Sequence, residues 1–288
     1  MWVADRWSDF EVVDCSFGEK LERWGKYILV RPDPQAIWHT PREDKRWNTF
    51  SARYERSRSG GGSWKINFLP EVFYISYSGM KFALKPMGFK HTGLFPEQAV
   101  NWDFMSSMIK NCQREISVLN LFAYTGAASV ACAAAGAKVC HVDASKGMVS
   151  WAKENAQLNG IMNIRFIVDD CIKFTEREIR RGKKYDAVIM DPPSYGRGPN
   201  GEVWKLEEEL YRLLQICVSV ISDKPLFFIL NSYTTGLGAG CMKYILESTV
   251  GKVFGGKVTA DEIGLPVTVS SGILPCGVTA RWIGDSNK

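Results

Sequence analysis

Two rhythms of apolar and polar positions divide the chain. Up to about residue 90, short alternating runs such as KYILVRP (26–32), WKINFLP (64–70) and VFYISYSGMKFALKP (72–86) are broken by Pro and Gly, the pattern of half-buried strands. Ser78 and Gly79 separate two such runs and predict a tight hairpin turn. The stretch SRSGGGS (57–63) predicts a flexible loop or linker. After about residue 98, five short apolar runs, at 117–123, 138–144, 164–170, 185–191 and 225–231, alternate with segments of helical period. Continuous apolar runs suit strands buried on both faces, and strand alternating with helix predicts a doubly wound, mostly parallel Rossmann-like α/β sheet. One helix is delimited at both ends: Ser145 caps KGMVSWAKENAQL, and Asn159-Gly160 supplies the left-handed stop. The expected organisation is a strand-rich region over 1–90, a candidate for recognition of RNA or another substrate, and a Rossmann-like domain over 91–288.

Composition narrows the class. The chain has 288 residues, 45% of them apolar, which excludes a disordered chain. Its apolar runs fall far short of the roughly 20 residues of a membrane span. The N-terminus, with Asp5, Arg6, Asp9 and Glu11, has no apolar signal core, so a cytoplasmic protein with no membrane partner is expected. Eight cysteines are irregularly spaced, without a C-x-x-C pair or a Cys/His cluster; they read as reduced core residues, and no metal is expected. The net charge of +5 is concentrated at the front, where residues 1–90 carry 15 Lys/Arg against 11 Asp/Glu. There Arg42, Lys45, Arg46, Arg53, Arg56 and Arg58 are interleaved with Trp47, Tyr54 and Trp64, and six of the ten tryptophans lie in this region. Such a mixture suits phosphate tracking with exposed rings stacked on bases as well as it suits a charged loop over a small aromatic core.

The polar residues of the second half gather at the carboxyl ends of the expected strands, where a doubly wound sheet has its ligand crevice. The first strand ends in NLFAYTGAAS, whose single glycine, Gly126, permits a tight turn. The G-x-G-x-x-G fingerprint of a dinucleotide pyrophosphate site is missing, which counts against a nicotinamide-dependent oxidoreductase. The second strand ends at Asp143, about where an acidic side chain accepts from a ribose diol, the third at Asp169-Asp170, suited to an adenine amine, and the fourth at Asp191. Taken singly, each aspartate is an ordinary helix cap or loop residue. Together they describe a site for an adenosine held without a pyrophosphate, as S-adenosylmethionine needs.

VLNLFAYTGAASVACAAAGAKVCHVDASKGMVSWAKENAQLNG, VDDCIKF and YDAVIMDPPSYGRG, preceded by GFKHTGLFPEQ, resemble in content and order the class I S-adenosylmethionine-dependent methyltransferases, specifically the family that contains large-subunit ribosomal RNA methyltransferases. The likeness spans about residues 80–235. It implies a seven-stranded methyltransferase sheet, S-adenosyl-L-methionine as cofactor, and RNA, ribosomal in that family, as partner. By the same resemblance, Gln98 matches the family's glutamine and adjoins the cofactor, Phe122, Ala123, Tyr124 and Gly126 line its methionine end, Asp143 takes the ribose, Ala144 and Ser145 belong to the cofactor site beside it, and Asp170 with Cys171 takes the adenine. Two positions depart from the pattern: Ala99 replaces an arginine, and Asn120 stands where the first strand usually ends in an acidic residue. The front 90 residues do not match the small RNA-binding module of many relatives.

The chemistry is expected in VIMDPPSYGRG (188–198). Its two prolines fix φ and lack N–H groups, so they end the sheet ladder and hold the chain after Asp191 in one direction. Asp191, which also adjoins the cofactor, and the Pro192 carbonyl are expected to accept from an amine or ring N–H, Pro193 to stiffen the turn, and Tyr195 to stack on the base. Arg197, between Gly196 and Gly198, is expected to reach a phosphate. The expected reaction is methylation of a base nitrogen. Methylation of cytosine at C5 is the rival and needs a thiolate nucleophile. Where cytosine-modifying relatives carry that cysteine, this chain has Ser232, expected to face substrate, with Cys241 further on. A cofactor-binding, RNA-binding protein without catalysis is the other alternative, and no oligomeric state follows from the sequence.

Overall fold

The computed structural model describes residues 1–57, 61–197, 201 and 203–285. It divides into two units, Met1–Val100 with Ile263–Cys276, and Asn101–Glu262 with Gly277–Lys288.

In the first unit β1 (Trp2–Val3) pairs in parallel with Ile263 and Gly264. A five-stranded sheet runs in the order β2 (Phe10–Ser16), β3 (Glu19–Trp24), β4 (Tyr27–Pro32), β5 (Ala52–Arg56), β6 (Gly62–Ile66), and β7 (Phe73–Tyr77) with β8 (Met80–Leu84) forms a separate hairpin. The turn expected at Ser78-Gly79 is present. Tyr77 faces Met80, and both turn residues take positive φ (49° and 82°), as a two-residue turn that follows the strand twist requires. SRSGGGS departs from its expectation at its far end, because Gly62 and Ser63 pair with Arg56 and Glu55 as the first residues of β6. The edge contact of Tyr54 with Trp64, ring centroids 5.5 Å apart, supports this pairing; residues 58–60, Arg58 among them, lie outside the described residues. The segment 263–276 is bound into this unit, with Thr268 and Val269 donating their N–H groups to the carbonyls of Val12 and Val13 (3.0 Å each).

The charges and rings of the front are largely engaged within it. Arg42 and Arg53 reach Glu19 at 2.8 and 2.7 Å, and Arg46 reaches Asp44 at 2.8 Å. The indole N–H groups of Trp7, Trp24, Trp38, Trp47 and Trp64 donate to Pro96 O, Glu22, Cys15 O, Asp14 and Phe89 O. None of the six front tryptophans is exposed, so the expectation of tryptophans displayed for stacking gives way to rings that pack and donate inside the unit. A buried ion network lies under β3 and β4: Arg31 donates through Nε and Nη2 to the two oxygens of Glu22 (2.6 and 2.8 Å), and Lys20 bridges Glu22 and Asp33 (3.5 and 3.1 Å). Burial pushes the Glu22 carboxyl up, but Arg31 and Lys20 outweigh it and hold the group below its ordinary value.

The second unit is built on β9 (Ser117–Leu121), β10 (Lys138–Asp143), β11 (Ile164–Val168), β12 (Ala187–Met190) and β15 (Phe227–Ser232), with residues 257–262 of β16 (Lys257–Pro266), residues 277–283 of β17 (Ile273–Ile283) and a small hairpin of β13 (Tyr195–Arg197) and β14 (Val203–Lys205). The strand order within this unit is β17-β15-β12-β9-β10-β11. Pairs from β15 to β11 are parallel, while β17 runs antiparallel to β15. Helices α1 (Ala99–Lys110), α2 (Ala127–Ala134), α3 (Lys146–Leu158), α4 (Cys171–Arg180), α5 (Leu206–Val218) and α6 (Ala239–Leu246) connect or cover these strands. Because side chains alternate across a sheet, Leu119, Val142, Met190 and Leu230 share one face and pack with Leu213 and Leu214 of α5 and Met242 of α6 in one cluster. Strand order reverses at β9, which has β10 on one side and β12 on the other, and that reversal opens a crevice at the carboxyl ends. All eight cysteines are free thiols, and no helix of the described residues is long and apolar enough to cross a membrane.

Candidate active site

The chain leaves β9 through a sharply bent loop. Phe122 and Tyr124 hold positive φ (53° and 51°), and Gly126, the N-cap of α2, has φ 86°. Such angles at bulky residues are strained and persist only where the surroundings over-determine them. Here Tyr124 N–H donates to Asp143 Oδ2 (2.8 Å), Phe122 N–H to Cys171 Sγ (3.4 Å), and Ala123 N–H to Val142 O (3.1 Å). Asn155 Nδ2 of α3 holds the Thr125 carbonyl at 2.9 Å. The close neighbour at Gly126 is itself protein: a Cβ there would stand 2.8 Å from Ala152 Cβ of α3.

Asp143 ends β10 and clamps two turns at once. Its Oδ1 accepts the Ser145 N–H (2.8 Å) while Oδ2 takes Tyr124, so each carboxylate oxygen keeps a second acceptor direction. Burial raises its pKa, and the backbone bonds from Ser145 and Tyr124 offset only part of that rise. Ala144 lies half-buried in the turn, and Ser145 Oγ caps α3 by accepting the Met148 N–H (3.4 Å). After β11, Asp170 caps α4 through the Lys173 N–H (2.9 Å), and Asp169 pairs with Arg177. Cys171 is buried, and burial pushes its thiol well above the ordinary value.

Asp191 follows β12 directly. Met190 pairs with Leu121 on one side and Leu230 on the other, so Asp191 leaves the sheet beside Phe122 and Asn231. Pro192 is buried and Pro193 exposed. The chain then enters the β13–β14 hairpin, where Gly196 faces Trp204 and Tyr195 faces Lys205. Trp204 Nε1 donates to the Pro193 carbonyl (2.6 Å), and its ring lies against that of Phe122 (centroids 4.8 Å apart). Ser194 Oγ shares a hydrogen bond with Thr234 Oγ1 (2.6 Å), which joins the loops after β12 and β15. Tyr195 is 54% exposed. Arg197 contributes its backbone to β13, and Gly198 lies outside the described residues.

The loops after β9, β10, β11 and β12 thus bring Phe122, Ala123, Tyr124, Asp143, Ser145, Cys171 and the Asp191 turn together, by hydrogen bonds or by strand register. Gln98 is buried in the first unit, at the end of the short 3-10 turn Pro96–Gln98. Ser232 departs from its expectation: it is 2% exposed, and its hydroxyl accepts the Thr234 N–H (3.1 Å), so it shapes the loop from within. Asn120 also turns inward, donating to Ser129 Oγ (2.9 Å), which bonds His141 Nδ1 (3.0 Å). Trp204 and Thr234 were missed by sequence reasoning. An aromatic residue in the short alternation VWK was the one local sign of Trp204, and Thr234 carried none.

Residues 42–232 match the family model of S-adenosylmethionine-dependent methyltransferases. The chain is 34% identical over 172 residues to the ribosomal RNA large subunit methyltransferase K/L of Shewanella frigidimarina, a match covering 58% of this chain and 23% of that protein. Its counterpart in Pseudoalteromonas atlantica is 33% identical over 160 residues, covering 54% and 22%. The chain therefore spans under a quarter of the length of these curated relatives. Among solved structures, the S-adenosylmethionine-dependent methyltransferase from Agrobacterium tumefaciens superposes with a TM-score of 0.94 at 36% identity, covering 99% of this chain and 93% of that one. A Streptococcus mutans methyltransferase, at 22% identity and a TM-score of 0.71 over 96% of this chain and 76% of its own, shares the fold.

Proposed function

The chain belongs to the S-adenosylmethionine-dependent methyltransferases, and from that premise we propose that it methylates a base nitrogen of ribosomal RNA in the cytoplasm. The observation that carries this reading is the register of β12 on β9, which sets Asp191 beside the loop that Asp143 clamps. The donor set suits the cofactor. Asp143 offers one remaining acceptor direction on each oxygen to a ribose diol, and the bent 122–126 segment carries no charged side chain and lacks the glycine fingerprint of a pyrophosphate site.

When bound, the cofactor supplies a methyl group on a sulfonium centre, already electrophilic, so the protein has chiefly to align a nucleophile and exclude water. In this reading Asp191 and the Pro192 carbonyl accept N–H groups and direct a nitrogen lone pair. Trp204 takes the carbonyl of Pro193, the neighbouring proline. Tyr195, exposed on the hairpin, offers a face for the base. For cysteine-dependent C5 chemistry, the position used by cytosine-modifying relatives holds the enclosed Ser232, and Cys171 is buried with its thiol pushed well up, which leaves the exposed Cys241 of α6 as the thiol nearest that position in sequence. The RNA acceptor rests on the names of the curated relatives.

Asp191→Asn should lower methyl transfer about 10²- to 10⁴-fold while leaving S-adenosylhomocysteine affinity by calorimetry nearly unchanged. Mass-spectrometric nucleoside mapping of ribosomal RNA from cells with and without the gene should show one N-methylated base lost. Loss of a C-methylated base would shift the reading to C5, and an unchanged modification map would sink it.

A further inference from the structure

We propose that Trp204 is a positioning residue for methyl transfer, holding the Asp191-Pro192 acceptors at a set distance from the loop that receives the methionine end of the cofactor. The inference rests on the reading of Asp191 given above. Its starting point is a limit of the DPP motif: two prolines stiffen the chain locally, but they lack N–H groups, so their backbone can be fastened only through its carbonyls. What remains to be gripped is a carbonyl, and Trp204 Nε1 grips that of Pro193 at 2.6 Å. The same indole lies against Phe122, centroids 4.8 Å apart at 54°. Phe122 is itself fixed, with φ 53° and its N–H on Cys171. One side chain therefore touches both walls of the site.

The hairpin is closed at its base by the Leu206 N–H on the Ser194 carbonyl (3.0 Å). Its strands, Tyr195–Arg197 and Val203–Lys205, have three residues each, too short to be stable alone. Val203 is 51% exposed, whereas Trp204 is 8% exposed; the ring that orders the hairpin is the one turned toward Pro193 and Phe122. The second tie, Ser194 to Thr234, is a pair of exposed hydroxyls.

Indole Nε1–H is only a donor, so Trp204→Phe keeps a ring against Phe122 and leaves the Pro193 carbonyl without this partner. With large-subunit ribosomal RNA from cells lacking the gene as acceptor, that variant should lose about tenfold in kcat, with KM for S-adenosylmethionine and the melting temperature nearly unchanged. Trp204→Ala should in addition raise that KM, because Phe122 loses its support. A merely structural role would lower the melting temperature without this split. Amide exchange at residues 194–197 and 203–206 should quicken in Trp204→Phe. Full kcat in Trp204→Phe beside an inactive Asp191→Asn overturns the inference and leaves the site standing, whereas a fully active Asp191→Asn overturns the site. If no RNA accepts a methyl group, the RNA reading falls, and unchanged exchange in Trp204→Phe then overturns the anchoring as well.

Discussion

Asp143 is held by opposing forces: burial disfavours its charge, and two backbone N–H groups favour it, with burial the stronger. If its charged form receives the ribose hydroxyls, lowering the pH should weaken cofactor binding as the carboxyl protonates, and the raised pKa moves this loss above the ordinary value of 3.8. Calorimetry with S-adenosylhomocysteine across pH should show affinity falling toward acid, with Asp143→Asn weaker at neutral pH, by about tenfold or more for loss of a charged hydrogen-bonding partner, and nearly flat with pH. Equal pH dependence in both proteins would remove Asp143 from the ribose site. The position of this residue was legible because it follows from one strand's end. The destination of Ser232 was not, since a hydroxyl after a strand reads the same whether it faces a crevice or ties its own loop. Only the Thr234 N–H at 3.1 Å distinguishes these.

Elements were legible where their signals are local. The cap at Ser145, the stop at Gly160 (φ 64°) and the turn at Ser78-Gly79 all stand as read, since each depends on a few neighbouring residues. The faces of β3 and β4 were less legible, because an alternating pattern places charged residues in solvent, yet Glu22 and Arg31 are buried together. Removing one partner of a buried pair leaves an uncompensated charge, so Glu22→Gln should cost about 3–5 kcal/mol at neutral pH. The sign with pH follows from the lowered carboxyl: its contribution is complete above the ordinary value of 4.5 and is lost as pH falls through the lowered folded-state value. Urea unfolding of both proteins at neutral and acid pH should show the difference shrinking in acid. A small, pH-independent difference would mean that the pair contributes little.

At the scale of the whole molecule, the first unit is not continuous in sequence. Residues 263–276 return to it, through Ile263 and Gly264 on β1 and through Thr268 and Val269 on β2. A fragment of residues 1–100 should therefore fail to fold, giving poor amide dispersion by NMR, whereas adding 263–276 as a peptide should recover part of it; a well-dispersed spectrum from the fragment alone would contradict this. Sequence alone determined the strand–helix alternation, the order of the strand-end aspartates, the missing pyrophosphate fingerprint and the family resemblance, because period, caps and prolines act over a few residues. Tertiary structure decided what depends on distant pairs: the return of 263–276, the ion pairs that occupy the front arginines, the inward turn of Asn120 onto Ser129, and the hold of Trp204 on Pro193. The physical reason is one of range. A buried carbonyl or carboxylate needs a partner, but any donor the fold brings near will serve, so the choice of partner is written in the packing and not in neighbouring residues.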